Sequence, residues 1–173
     1  MNYIDELTKK NNIKRRILLA ITIVVTFLLQ TTSGFFPAPF GVHACLLVPA
    51  TVCIAMFERE FSGLFFGLAA GMMLETVSPD SVCFYSVMLT LIGFVTGLLI
   101  TYLMRNNLVT ALIFTLVFTL ILNSLYCVFF YLFDGIGITF GFFMKYYFIS
   151  SIYTAIFTPI FYFIVRAIVK KYK

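Results

Sequence analysis

The sequence contains few charged residues and no tryptophan. Charged residues make up 11% of its 173 residues and hydrophobic residues 62%. A soluble globular domain has roughly 25% charged residues, so this composition excludes an ordinary soluble domain and indicates an integral membrane protein. The length allows one such domain and leaves no room for a second, soluble one.

Residues that carry catalysis or bind metals are also scarce. The chain has one histidine, His43, and four cysteines, none of them in a Cys-x-x-Cys pair. Signature motifs of metallopeptidases, serine hydrolases and nucleotide-binding enzymes do not occur. An active site would depend on Glu75, Asp80 and Asp134. We therefore expect no catalytic residues, no metal and no cofactor, and we interpret the cysteines as small buried hydrophobic residues.

Six nearly charge-free stretches divide the chain, separated by proline, glycine or charged residues that favour turns. Each is about as long as the ~20 residues needed to cross a bilayer. We predict an all-α integral membrane protein, a compact bundle of six transmembrane helices over 17–165 between basic tails over 1–16 and 166–173. Within the first tail, residues 1–12 are expected to form a flexible segment or a short interfacial helix. The predicted spans are Ile17–Phe36, Phe40–Phe57, Phe61–Val77, Val82–Met104, Leu108–Phe133 and Phe142–Val165.

The distribution of lysine and arginine predicts an orientation. With both termini in the cytoplasm, eleven of the 12 basic residues face that side and only Lys145 lies outside. Cytoplasmic loops carry this excess in membrane proteins generally, so we expect both termini to be cytoplasmic. The net charge of +5 is then an orientation signal and does not indicate a nucleic-acid partner.

The third span carries small residues at a spacing of four, Gly63, Gly67 and Gly71, followed by Glu75. This spacing places all four on one stripe of a helix. Glycine stripes mark close helix packing in lipid, and a carboxylate inside a span is expected to face protein or a wet cavity. We predict that the stripe packs against another transmembrane helix, either in this chain or on a partner.

Other small or polar residues predict further helix contacts. Gly93 and Gly97 give the fourth span its own close-packing face. Gln30 and Asn123 need hydrogen-bond partners because no water is available within the bilayer. They are expected to bond between helices or, alternatively, to line a small polar cavity between the first, third and fifth spans. Prolines in the second and sixth spans predict kinks.

Several of these features together resemble the MreD family, the small rod-shape-determining membrane proteins of bacteria. The features are a basic N-terminus, a first span ending in Phe27-Leu28-Leu29-Gln30, a proline before the second span, Gly67-x-x-x-Gly71-x-x-x-Glu75, and Gly93-Phe94-x-x-Gly97. The resemblance covers most of the chain and rests mainly on residues 30–97.

The resemblance implies a six-helix, non-enzymatic scaffold in the bacterial cytoplasmic membrane, within the machinery that elongates the lateral cell wall and maintains cell shape. It implies as partners an MreC-like bitopic protein, the MreB filament, a RodA-type glycan polymerase and a class B penicillin-binding transpeptidase of peptidoglycan synthesis. The basic loops and tails would face the filament and anionic membrane lipid.

Two other functions are alternatives to the scaffold. Six short hydrophobic helices also resemble the substrate-binding subunit of an energy-coupling-factor vitamin transporter. Short outer loops without tryptophan are poorly suited to vitamin capture, and the first span lacks a clear alanine stripe for a coupling subunit. A lipid-modifying intramembrane enzyme is disfavoured by the missing catalytic groups.

Overall fold

The described part of the chain is entirely helical. The computed structural model describes residues 3–32, 45–58, 60–78, 83–103, 106–129 and 149–172. Three of the helices are long and apolar enough to cross a membrane, namely the fourth, fifth and sixth. The six helices are α1 Tyr3–Thr31, α2 Leu47–Glu58, α3 Glu60–Glu75, α4 Phe84–Tyr102, α5 Leu108–Cys127 and α6 Ile149–Lys171.

The helices at the two ends of the chain extend into the basic tails. Helix α1 begins at Tyr3, so the described part of the first tail is helical and continuous with the first span. Helix α6 continues through Arg166 to Lys171. His43, Asp80 and Asp134 lie outside the described residues.

Helix α2 is shorter than the predicted second span. Its 12 residues extend for about 18 Å, whereas the hydrocarbon core is about 30 Å thick. Residues 40–44 of that predicted span lie outside the described residues. Pro49 falls in the first turn of α2, where the backbone nitrogen has no partner within the helix. Pro49 therefore removes no hydrogen bond from within α2, while Pro159 lies inside α6.

Helix α2 forms the core of the bundle. Eleven of its 12 residues are buried, and it packs against each of the five other helices that the structure describes. A helix that is hydrophobic around its whole circumference is expected to be buried in this way. Leu19 and Ile23 of α1 and Leu89 of α4 complete the buried cluster around it.

The described helices alternate in direction, which gives the bundle two distinct ends. At one end, Arg15 near the middle of α1 pairs with Glu58 at the end of α2. We call this the basic end, because the lysines and arginines of α6, including Arg166, lie at that end too. At the other end, which we call the opposite end, Gln30 of α1 bonds to Leu47 at the start of α2.

The outward faces of the helices are strongly apolar. Phe61 is 71% exposed and Phe65 is 66% exposed on α3, and Val109 and Ile156 are more than half exposed on α5 and α6. Soluble monomers rarely expose apolar surface on this scale. Together with the three apolar helices that are long enough to cross a bilayer, this surface indicates a membrane protein.

Candidate functional site

The glycine stripe of α3 lies against α4 of the same chain. A Cβ atom added to Gly63 would lie 2.6 Å from the carbonyl oxygen of Gly93, and one added to Gly67 would meet the carbonyl of Leu89 even more closely. Conversely, a Cβ on Gly93 would collide with the carbonyl of Gly63. The two backbones therefore touch directly, as small-residue faces allow. The sequence predicted that the stripe packs against a helix either in this chain or on a partner. In the structure that helix is α4 of the same chain.

The contact continues to the end of α3. A Cβ on Gly71 would lie 2.5 Å from the Cα of Ser86, so the two helices stay in backbone contact over about two turns and run antiparallel. Gly97 of α4 is buried as well. The stripe and Gly93 of the second glycine pair therefore form one contact between α3 and α4.

Glu75 caps the start of α4. Its Oε1 accepts a hydrogen bond from the backbone N–H of Ser86 at 2.9 Å, and its Oε2 accepts one from the Ser86 hydroxyl at 2.8 Å. The first backbone N–H groups of a helix have no partner within it, and a carboxylate there is also stabilised by the helix dipole. Cys83, the N-cap residue, has φ 61° and offers no side-chain bond. The cap therefore comes from the neighbouring helix.

A second carboxylate fastens the other end of α3. The Oε2 of Glu60 accepts a hydrogen bond from the Thr101 hydroxyl of α4 at 2.9 Å. Both ends of α3 are thus tied to α4 by a glutamate, with the glycine contact between them. The sequence contains both glutamates, but nothing in their spacing identifies Thr101 or Ser86 as their partners.

Polar side chains at the opposite end support the start of α2 inside the bundle. The Gln30 Oε1 accepts a hydrogen bond from the Leu47 N–H at 3.2 Å, and the Thr154 hydroxyl oxygen accepts one from the Cys45 N–H at 3.2 Å. These bonds satisfy backbone donors where no water is expected. The Asn123 Nδ2 donates to the Ser151 hydroxyl at 3.3 Å, which links α5 to α6.

A cavity of about 180 Å³ also lies at the opposite end, between α1, α3, α4 and α5. It is bounded by the polar side chains that the sequence singled out in the first and fifth spans. Gln30 and Asn123 therefore bond to residues of other helices, and both also line this cavity. The sequence presented these two arrangements as alternatives, and the structure contains both. The lining residues are Gln30, Cys45, Leu74, Ser78, Tyr85, Leu122 and Asn123.

The basic end contains a buried ion pair. The Arg15 Nε lies 2.5 Å from the Glu58 Oε1, and a guanidinium NH2 group donates to the Glu58 Oε2 at 3.3 Å. The Glu58 side chain is 1% exposed and that of Arg15 21%. The sequence did not predict this pair, because the positive-inside pattern assigns a side to Arg15 but names no partner for it.

Asn106 joins the helices around that pair. Its Nδ2 donates to the Met56 backbone carbonyl at 3.0 Å, and the backbone carbonyl of Asn106 accepts a hydrogen bond from the Tyr162 hydroxyl at 3.5 Å. The segment between α4 and α5 is thereby fastened to α2 and α6. These polar groups hold helix ends together at the basic end.

Within the described ranges, no three histidine, cysteine, aspartate or glutamate side chains converge on a point where they could hold a metal ion. The described part of the chain is therefore all-helical, with three helices able to cross a membrane and with polar residues that mostly connect one helix to another. No family model, no curated protein and no solved structure significantly matches the chain.

Proposed function

We propose that the chain crosses the bacterial cytoplasmic membrane six times, with both termini in the cytoplasm. Two observations support this topology. The described ends of α1 and α6 that carry the basic residues lie at the same end of the bundle, and basic residues accumulate on the cytoplasmic side of membrane proteins. The outward faces of α1, α3, α4, α5 and α6 carry exposed apolar side chains, as lipid-facing helices do.

The function that we propose is a non-enzymatic scaffold of the cell-elongation machinery, of the kind that the resemblance to MreD implies. The observation that carries the proposal is the construction of the α3–α4 pair. The glycine stripe of α3 and Glu75, which carry part of the resemblance, form one closely packed unit with α4. Glu75, the only carboxylate on the stripe, has both oxygens engaged by Ser86. A carboxylate used in this way stabilises a rigid shape.

The packing also limits where partners can bind. Because Gly63, Gly67 and Gly71 are buried against α4, a transmembrane helix of an MreC-like protein would contact the exposed apolar faces instead of the glycines. At the basic end, Arg16 is exposed and Arg15 is neutralised by Glu58. The exposed basic residues would face the MreB filament and anionic lipid. The RodA-type polymerase and the class B transpeptidase would bind within the membrane.

The identity of the co-purifying proteins tests this proposal. The chain would carry a C-terminal affinity tag and be extracted from its own membrane in a mild detergent, with a tagged unrelated polytopic protein as the control. We expect a bitopic MreC-like protein in the tagged sample only. Recovery of a pair of ATPases with a coupling protein would contradict the scaffold and support transport.

One observation favours the transporter as the second candidate. A cavity between helices at one end of the bundle is the kind of place where small molecules bind. The extraction described above separates the two functions, because a substrate-binding subunit of an energy-coupling-factor transporter associates with different partners.

A further inference from the structure

We infer that the last turns of α6 bind the headgroup of one anionic phospholipid, whose acyl chains lie along the exposed apolar face of the same helix. The inference deepens the proposed contact between exposed basic residues and anionic lipid, and it rests on the proposed position of the bundle in a membrane. It does not depend on the scaffold function, because the same lipid site would serve a transport subunit equally well.

The last turns of α6 carry three basic residues that lack an acidic partner. Arg166, Lys170 and Lys171 are exposed, and none of them forms an ion pair with any residue that the structure describes. Helix α6 contains no aspartate or glutamate of its own. The C-terminus of a helix carries only about half a negative charge, so three cations leave a positive excess. We call these three residues the α6 cluster.

The α6 cluster lies at the level where lipid headgroups begin. One turn before Arg166, the Tyr162 hydroxyl donates to the backbone carbonyl of Asn106, just before α5 begins. The Tyr162 ring also packs against Phe57 near the end of α2, with a centroid distance of 5.5 Å. The uncharged part of α6, Ile149–Val165, extends for about 25 Å, close to the ~30 Å of hydrocarbon in a bilayer. The cluster that follows it is therefore level with the phosphates.

Two cations of the cluster converge on one point. Arg166 and Lys170 are four positions apart, so they are neighbours on the helix surface, with their Cβ atoms about 5 to 6 Å apart. The exposed residue beside both of them is Ala167, whose small side chain leaves a shallow space. A phosphodiester above Ala167 would accept hydrogen bonds from both cations, and such charge-assisted bonds are stronger than neutral ones.

An apolar face leads directly to this point. Three large apolar side chains of α6 are each more than half exposed, and spacings of three and four residues place them on one stripe with the cluster. An acidic protein or a soluble phosphate would neutralise the cations but leave this apolar stripe uncovered. A phospholipid matches both parts, which favours lipid as the occupant. The stripe consists of Ile156, Ile160, Phe163, Ala167 and Lys170.

Helix α1 carries a matched pair of cations that do not converge. Lys14 and Arg16 are exposed at the same end of the bundle, but residues two positions apart do not face each other on a helix. Ile13 and Ile17, both more than half exposed, lie on the face between them. The α1 pair therefore provides a control with the same charges in the wrong arrangement.

Native mass spectrometry of the full chain measures which lipid stays bound. The chain would be equilibrated in detergent with equal amounts of phosphatidylglycerol and phosphatidylcholine that carry the same acyl chains, and excess lipid would then be removed. We expect the wild-type chain to retain one phosphatidylglycerol. A basic residue near an anionic surface contributes about fivefold in affinity, so Arg166→Gln with Lys170→Gln should lower the preference for phosphatidylglycerol about 25-fold. Lys14→Gln with Arg16→Gln should leave it nearly unchanged.

A second variant fills the space above the helix without changing the charge. Ala167→Leu should lower the retention of phosphatidylglycerol, whereas Ala20→Leu, on an exposed position of α1, should not. An excess of inorganic phosphate should not displace the lipid, because phosphate cannot cover the apolar stripe.

Four results would each overturn the inference. They are equal retention of the two lipids by the wild-type chain, equal losses in the α6 and α1 double variants, full retention by Ala167→Leu, and displacement of the lipid by phosphate. None of them changes which proteins co-purify with the chain, so a failure of the lipid site is distinguishable from a failure of the scaffold.

Discussion

The carboxylate of Glu75 on α3 accepts hydrogen bonds from both donors of Ser86 on α4, the backbone N–H and the side-chain hydroxyl. The two residues are 11 positions apart, and they are brought together because Gly71, one turn before Glu75, lets the helix backbones touch. The glycine stripe and the carboxylate at its end therefore have one role. The glycines bring α4 close, and the carboxylate completes the start of α4.

The first prediction concerns the Glu75 side chain. Glu75→Gln retains an oxygen for the Ser86 N–H and an amide that can donate to the hydroxyl, so we expect the free energy of unfolding to change by less than about 1 kcal/mol. Glu75→Leu leaves both donors of Ser86 without a partner and should cost about 2 kcal/mol or more. Reversible unfolding in mixed micelles measures both variants.

A double-mutant cycle tests whether the loss of stability in Glu75→Leu comes from the interaction between Glu75 and Ser86. Ser86→Ala removes only the hydroxyl, so its effect should be smaller than that of Glu75→Leu and should not add to it in full. Equal damage from Glu75→Gln and Glu75→Leu would show that the charge itself matters, and the structural role of Glu75 would then be wrong.

The second prediction compares two faces of α3. Gly67 is buried against the carbonyl of Leu89, whereas Ala69, two positions later, is exposed. Gly67→Leu has to separate α3 from α4 and should destabilise the chain by about 3 kcal/mol or more, at the upper end of overpacking effects. Ala69→Leu adds apolar volume on the outward face and should be nearly neutral. Similar unfolding midpoints for the two leucine variants would exclude the close contact of α3 and α4.

The sequence allowed the stripe to be predicted but not its partner. A spacing of four defines one helix face whatever lies opposite, so Gly63, Gly67 and Gly71 could be grouped from periodicity alone. Which helix meets that face depends on the arrangement of the whole bundle. For the same reason nothing in the sequence identified Ser86 as the residue that Glu75 contacts.

The start of α2 was the least predictable boundary. An apolar run shows where a span can lie, but it does not show where the helix begins when the surrounding residues are also apolar. The structure begins α2 at Leu47, supported by Gln30 and Thr154. By contrast, α5 begins at Leu108 as predicted, because polar residues directly before it mark the boundary.

The third prediction concerns the ion pair at the basic end. Arg15→Ala leaves the Glu58 carboxylate buried without its partner, which typically costs about 3 to 5 kcal/mol. The neighbouring Arg16 is exposed and provides the matched control, since Arg16→Ala removes the same charge from the chain at little cost. Unfolding of both variants in mixed micelles measures the difference.

Replacing both members of the pair should recover much of the stability that Arg15→Ala loses, because the double variant Arg15→Leu with Glu58→Leu leaves no buried charge at this site. Equal stabilities for Arg15→Ala and Arg16→Ala would argue against a structural role for the ion pair.

The fourth prediction concerns topology. Asn107 lies at the basic end and Thr76 at the opposite end, and both are exposed. Cysteines introduced singly at these positions, in a chain whose exposed Cys83 has been replaced by serine, should differ in access. A membrane-impermeant maleimide applied to intact cells should label the cysteine at position 76, and the one at 107 only after permeabilisation. The reverse pattern would place the termini outside and contradict the proposed orientation.

Cell width after depletion of the chain tests the scaffold function most directly. In the organism that encodes the chain, we expect depletion to widen and round the cells, and the Ala69→Leu variant to restore a normal width. Gly67→Leu, inserted at comparable levels, should not restore it. Unchanged cell width after depletion, together with reduced uptake of a small solute, would contradict the scaffold and indicate a transport subunit.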